Sequence, residues 1–335
     1  MSAGGTIVVL APDGVPEVRK GDDLAALILA ALEDANWALA DGDVVAVTSK
    51  VVSKAEGRVR EGTRDDVLEE ETRRVVARRG RTVIVRSRLG LTQAAAGIDA
   101  SNVEGGYVVL HPADPDGSAR ALRNTLRERT GVNVAVVVTD TAGRAWREGQ
   151  TDLAIGAAGL SVLESFAGRE DSYGNSLVVT APAVADELAG VAELAQGKLA
   201  ARPFAVVRGR ADLVLPPGDD GPGAVALIRE EGQDFFGYGA REAVVRALKG
   251  DPADRAPFGS PASAQELGEA IAEVAGAEAG NWGLSVSDAE IRVTAVEPRA
   301  LAVLAYAYGW ALVGHDAGAT DAGAAATSVL RPLTP

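Results

Sequence analysis

The chain reads as a mixed α/β (α+β) protein, and three observations lead there. Segments with strand and helix periodicity intermix along its 335 residues without strict alternation. No GxxxxGK[ST] loop and no GxGxxG turn follows a strand, which argues against a plain nucleotide-binding doubly wound domain. One run, Val134-Ala135-Val136-Val137-Val138, is almost continuously apolar, the signature of a strand covered on both faces.

Residues 6–10 form a short apolar strand closed by the turn Pro12-Asp13-Gly14. Residues 22–37 place Leu24, Leu27, Ile28, Ala31 and Leu32 at helical spacing behind Asp22 and Asp23, which serve as caps. Gly42 opens a strand whose end carries Thr48-Ser49-Lys50-Val51-Val52-Ser53-Lys54. Residues 65–79 are expected as a charged amphipathic helix, 82–86 and 107–110 as strands, and 118–130 as a helix stopped by Gly131. Residues 133–139 are the buried strand, expected to end directly in Asp140. Then come a strand at 177–180, a long helix at 182–199 and a strand at 203–207. The stretch 250–261, rich in Pro, Gly and small residues, reads as a linker, giving domains 1–250 and 251–335. Beyond it a helix (264–275), a strand (290–296) and a helix (299–313) are expected, followed by a loosely ordered Ala/Gly/Thr-rich end.

Composition narrows the function. With 47% hydrophobic and 24% charged residues the chain is ordinary for a soluble protein large enough for two domains. A net charge of −14 disfavours nucleic acid and anionic membranes as partners, so a polyanionic ligand needs a local basic pocket with divalent cations. The absence of cysteine excludes disulfides, thiolate zinc sites and a cysteine nucleophile. No charged segment precedes an apolar stretch near the start, and the apolar run 300–314 is too short and mixed for a membrane span, so a cytoplasmic location is expected.

Chemistry concentrates in four segments. Only five lysines stand against 28 arginines, and two of the five, Lys50 and Lys54, lie four residues apart after an apolar strand. A compact ammonium suits a phosphate there, although an exposed strand end would look the same. Gly97-Ile98-Asp99-Ala100-Ser101-Asn102 is a polar loop whose Asp99 and Asn102 suit either a ligand or ordinary turn chemistry. Asp140, at the end of a buried strand, is placed to hold Mg²⁺ or Mn²⁺ in a crevice, or else to cap its own loop. Arg144 and Arg147 follow, suited to clamping acidic groups or to pairing with Glu148 or Asp152 on the surface. The helix ending at Gln196-Gly197-Lys198 is a terminated amphipathic helix or a ligand-facing end. His111 and His315 lack metal-ligand spacing, and His111 in Leu110-His111-Pro112 is read as packing or surface.

Taken together, over about residues 5–250 the chain resembles the coenzyme F420-0:γ-glutamyl ligase family. The resemblance rests on Gly14-Val15-Pro16, the Thr48-to-Arg58 segment, Gly97-to-Asn102, Thr139-Asp140-Thr141 with Gly149-Gln150-Thr151-Asp152, and the helix before Lys198. It implies a two-lobed fold, an intertwined homodimer, and a ligase that joins L-glutamate to F420-0 through an acyl phosphate made from GTP. On that resemblance GTP lies against Gly14, Val15, Pro16 and Glu17, against Ser49, Lys50, Lys54 and Asn102, and against Leu194, Ala195, Gln196, Gly197, Lys198, Leu199, Ala200 and Ala201. Two divalent ions, Mg²⁺ or Mn²⁺, fall to Asp99, Asp140, Thr141 and Gln196, with K⁺ a further expected ion. Arg144 and Arg147 are assigned to the acidic substrates from charge alone. Some actinobacterial relatives carry a large flavin-binding C-terminal domain; the 85 residues after 250 are too few for it, so no FMN is expected. Two other functions share these features: an amide ligase for a different acidic acceptor, and a non-catalytic GTP-binding regulator.

Overall fold

The computed structural model describes residues 5–230, 233–234, 236–275, 283–287, 289–294, 297–316 and 327–333. The chain divides into two compact units, Met1–Ile228 and Arg229–Pro335. The linker expected at 250–261 lies inside the second unit, where it forms two short 3₁₀ turns, Pro252–Asp254 and Ala256–Phe258.

In the first unit the elements run β1 (Val8–Leu10), α1 (Leu24–Asp34), β2 (Val44–Thr48), α2 (Ser49–Ala55), β3 (Val59–Glu61), α3 (Arg64–Glu71), β4 (Thr72–Arg79), β5 (Thr82–Ser87), β6 (Thr92–Ala94) and β7 (Tyr107–Val109). They continue with α4 (Pro115–Thr130), β8 (Ala135–Arg144), β9 (Arg147–Ala158), β10 (Arg169–Glu170), β11 (Ser176–Leu177), α5 (Val184–Gln196) and β12 (Phe204–Arg208). Five strands form the main sheet in the order β1-β12-β2-β8-β9. Only β2 and β8 are parallel, with Val44 opposite Ala135 and Thr48 opposite Thr139.

Pleating explains why these strands are apolar throughout. Val45, Val47, Val136, Val138 and Val206 face a core closed by α1 and α4. Their alternates Val44, Ala46, Ala135, Val137 and Val207 face α5 on the other side. Each fully buried valine contributes about 1.5 kcal/mol or more. The expected cap holds: Asp23 accepts a hydrogen bond from the Ala26 N–H. Gly131 ends α4 in the left-handed region, with φ of 76°.

Several expected elements differ, three of them in the first unit. The helix at 65–79 stops at Glu71, and 72–79 is strand β4, antiparallel to β5. The β-branched Thr72, Val75 and Val76 suit a pleated strand, and four arginines in its eight positions hid that periodicity. The strand at 133–139 runs on through Asp140 to Arg144 as one arm of a long hairpin with β9. Beyond Thr139, β8 has outrun β2 and pairs with β9 alone, so the apolar run marks only its two-sided, buried half. The strand at 177–180 shrinks to the two residues of β11.

The second unit has its own core around Leu267, Ile271, Ile291, Leu301, Trp310 and Leu330. It holds α6 (Ala240–Lys249), α7 (Ala264–Ala275), β13 (Leu284–Ser287), β14 (Glu290–Thr294), α8 (Pro298–Ala307), β15 (Trp310–Asp316) and β16 (Thr327–Pro332). The helix expected at 299–313 ends at Ala307, and Gly309 with φ of 74° turns the chain into β15. Thr327–Pro332, expected as loose, is an inner strand of the antiparallel sheet β13-β14-β16-β15. Residues 295–296, 317–326 and 334–335 of those expectations lie outside the described residues. Among the described residues no helix is long and apolar enough to cross a membrane.

Candidate functional site

Parallel pairing brings the C-terminal ends of β2 and β8 side by side, the place where open α/β sheets present ligand-binding groups. The chain passes from Thr48 directly into α2, so Lys50 and Lys54 stand on a helix and not on the strand end read from the sequence. Four residues apart, they share one helical face.

Each lysine gathers a loop. The Lys50 ammonium lies 2.7 Å from Asp99 Oδ2 and donates to Ser101 Oγ at 2.9 Å. Lys54 is buried, 7% exposed; it pairs with the Glu17 carboxylate and donates to the Asn102 carbonyl at 2.7 Å. Thus the 14–17 and 99–102 loops are tied to α2 by two ammonium groups. Burial pushes the Asp99 carboxyl up, but Lys50 and the Ser101 N–H outweigh it and hold the group below its usual range.

Asp140 projects from β8 next to this cluster's sheet edge. Its Oδ2 lies 2.8 Å from His111 Nε2, and because a carboxylate only accepts, that nitrogen carries the proton. His111 is 4% exposed and held against Gln93. Gly97 makes the room: a Cβ there would sit 2.1 Å from both Gln93 Nε2 and His111 Cε1. His111 was read from the sequence as packing or surface; it is buried, and it bonds a candidate ligand carboxylate. Its scarcity, one of two histidines, was the available signal.

A second network lies alongside. Thr141 Oγ1 donates to Asp152 Oδ1 at 2.6 Å and accepts from Lys198 Nζ at 2.9 Å. Thr139 Oγ1 donates to the other oxygen of Asp152 at 3.2 Å. Asp152, buried and absent from the expected ligand set, therefore orders this face. At the end of α5, Gln196 is 1% exposed, and among the described residues neither its Oε1 nor its Nε2 has a hydrogen-bond partner. Burial raises the Glu193 carboxyl one turn earlier; Asp152 adds to that and Lys198 opposes it.

The remaining expected residues divide. Gly197 caps α5 with φ of 64°, and Ala201 is also left-handed. Leu194 and Leu199 are exposed, as are Gly197, Lys198, Ala200 and Ala201, while Ala195 offers its carbonyl to Arg202. Arg202, which the sequence reading passed over, grips Asp13 through two nitrogens, at 2.8 and 3.2 Å. It thereby fastens the Gly14-Val15-Pro16-Glu17 turn to the segment after α5; Ser49 is buried at the start of α2. Arg144 and Arg147 do not join the cluster. They face each other at the exposed hairpin tip, where Arg144 donates to the Glu148 carbonyl. Four residues of strand put Arg144 about 13 Å from Asp140.

Asp99, Asp140, Thr141 and Gln196 offer oxygen donors only, the chemistry of Mg²⁺ and Mn²⁺. The unpartnered, buried Gln196 amide fits such a group, since leaving it unsatisfied costs about 1–3 kcal/mol. Among the described residues no three His, Cys, Asp or Glu side chains gather as a metal cluster, so an ion here needs oxygens from phosphate or water as well.

The family described as F420-0:γ-glutamyl ligase matches residues 14–66 and 64–209, a span that contains every segment of this site. The chain belongs to that family. It is 39% identical over 224 residues to the coenzyme F420:L-glutamate ligase of Archaeoglobus fulgidus, covering 61% of this chain and 88% of the relative. It is 38% identical to that of Methanothermobacter thermautotrophicus, covering 61% and 89%. To the Haloarcula marismortui protein of the same name it is 41% identical over 260 residues, 70% of this chain and 97% of the relative. The protein is a ligase.

Proposed function

We infer that this ligase attaches L-glutamate, and further γ-linked glutamates, to coenzyme F420-0 at the expense of GTP, in F420 biosynthesis. The observation that carries the reading is the meeting of Lys50, Lys54, Asp99, Asp140 and the unpartnered Gln196 amide around the ends of β2 and β8. A carboxylate becomes an amide only after activation. The γ-phosphoryl group of GTP passes to the terminal carboxylate of F420-0, leaving GDP and an acyl phosphate. The glutamate amine then attacks the acyl carbon, the C–O bond to phosphate breaks, and phosphate departs while the amine's proton goes to solvent. Such chemistry rests on positioning and charge neutralisation, with no protein nucleophile.

In this reading Lys50 and Lys54 neutralise nucleotide phosphates, and Gly14 to Glu17, Ser49, Asn102 and residues 194–201 frame the nucleotide. Asp99, Asp140, Thr141 and Gln196 hold Mg²⁺ or Mn²⁺, which when bound neutralises charge developing on the transferred phosphoryl group. Lys50 must release Asp99 for that role, and His111 keeps Asp140 oriented. Arg144 and Arg147 reach acidic substrate only if the hairpin tip meets a second site, as in the intertwined homodimer of the two-lobed family fold. That dimer, the GTP dependence and any K⁺ requirement rest on family membership, whereas the 1–250 ligase domain and the cytoplasmic location rest on sequence patterning.

The test is phosphate release from GTP by the purified protein with Mg²⁺ or Mn²⁺, L-glutamate, and F420-0 present or absent, with products read by mass spectrometry. Release that needs both acceptors, yields glutamyl-F420 and falls ~10²-fold or more in Asp140→Asn supports the reading. GTP binding without product would leave a regulator, or a ligase for another acid.

A further inference from the structure

Beside the site lies a cavity of about 890 Å³ that no part of the reading above uses. It opens between α3 and the β4–β5 hairpin, and Ala100, next to Asp99, forms part of its wall. Its floor is apolar, made by Leu68, Val75, Val83 and Val85. Arg64, Arg78 and Arg81 line it against two acids, Asp65 and Glu69.

The charge here is unusual for this chain. Residues 72–88 carry seven arginines and no acidic residue, in a protein of net charge −14. Arg78 and Arg81 are exposed and form no ion pair among the described residues. Arg64 connects cavity and site: its Nε donates to the Ile98 carbonyl at 2.9 Å, and its Nη2 lies 3.8 Å from Asp99 Oδ1. A volume of this size suits a ligand of several rings and not a single amino acid. An apolar floor with arginines at its rim selects a flat, ring-bearing body with anionic arms.

We propose that this cavity receives the anionic acceptor of the ligase reaction, with its ring system over Leu68, Val75, Val83 and Val85 and its acid groups paired by Arg78 and Arg81. The inference rests on the acceptor named under Proposed function. Arg64 then marks the passage through which the reacting carboxylate reaches the Asp99 end of the site. Exclusive use of arginine along the hairpin fits this role, because the guanidinium pairs two oxygens at once.

The experiment uses the full chain with F420-0 as probe. Binding is followed through the fluorescence of the deazaflavin ring, and steady-state constants are measured for F420-0 and GTP separately. In the double variant Arg78→Gln/Arg81→Gln the F420-0 Kd and KM should rise about ten- to a hundredfold, with the GTP KM unchanged and kcat within about threefold. Val75→Trp, which fills the floor without touching charge, should raise the same two constants. Added salt should weaken F420-0 binding by the parent more than by the double variant. Unchanged F420-0 constants in both variants, with the parent active, would overturn this inference and leave the ligase reading standing. A parent that neither binds nor glutamylates F420-0 overturns both.

Discussion

Replacing Lys54 by Met separates a surface lysine from a buried clamp. Methionine keeps an apolar stem of similar length and removes only the ammonium. That group donates to the Asn102 carbonyl at 2.7 Å and pairs with Glu17. The first contact, from a charged donor in a buried setting, is worth about 1.5–3 kcal/mol. The second is discounted to about 0–1 kcal/mol because Glu17 is 67% exposed. The total, about 2–4 kcal/mol, corresponds to a melting temperature lower by about 4–16 °C for a unit of this size. Glu17→Gln should lower it by no more than about 4 °C, since only the exposed half of the clamp weakens. The assay is thermal unfolding by circular dichroism, with GTP binding by calorimetry on the same samples. Both loops frame the candidate nucleotide site, so affinity for GTP should fall by at least about tenfold in Lys54→Met. A melting temperature within 1 °C of the parent together with unchanged GTP affinity would refute the clamp.

Other substitutions test other layers of the structure. Gly97→Ala combines a backbone strained at φ of 72° with a Cβ 2.1 Å from His111, so urea unfolding should show a loss of about 2–5 kcal/mol; a change under 0.5 kcal/mol would contradict the packing around His111. Arg123 is 2% exposed and donates to the carbonyls of Val134 and Asp219 and to Asp220, so Arg123→Met should cost about 3–5 kcal/mol in the same assay. Burial raises the Asp186 carboxyl, partly offset by the Ala154 N–H. The folded state therefore holds that proton to higher pH than the unfolded chain, and stability from this group falls as pH rises from about 4. Asp186→Asn should flatten that part of the stability–pH curve, and unchanged slopes would show that the group is not buried as described.

Much of the site was legible because its chemistry is local. The lysine pair, the Asp99 loop, Asp140 and the Gln196 helix end each stood out as short segments, and the sheet then brought them to one edge. Arg144 and Arg147 were misplaced for a definite reason. A loop after Asp140 would have curled them back toward the carboxylate, whereas the continued strand carries them outward at 3.3–3.4 Å per residue. The roles of His111, Asp152 and Arg202 were not legible because each acts through a partner distant in sequence, 29, 13 and 189 residues away.

The amino-acid sequence by itself determined the two-sided burial of β2, β8 and β12, the caps of α1 and α4, and the acidic exterior that confines any polyanion to a local basic site. These depend on periodicity and composition within a few neighbouring residues. Tertiary structure alone decided where α3 yields to β4, that Lys50 and Lys54 point from a helix, which carboxylates are held by Lys50 and His111, and that a cavity walled by arginines adjoins Asp99. Each of those is settled by a pairing register or a packing contact between segments far apart in the chain, and local propensity carries no record of such contacts.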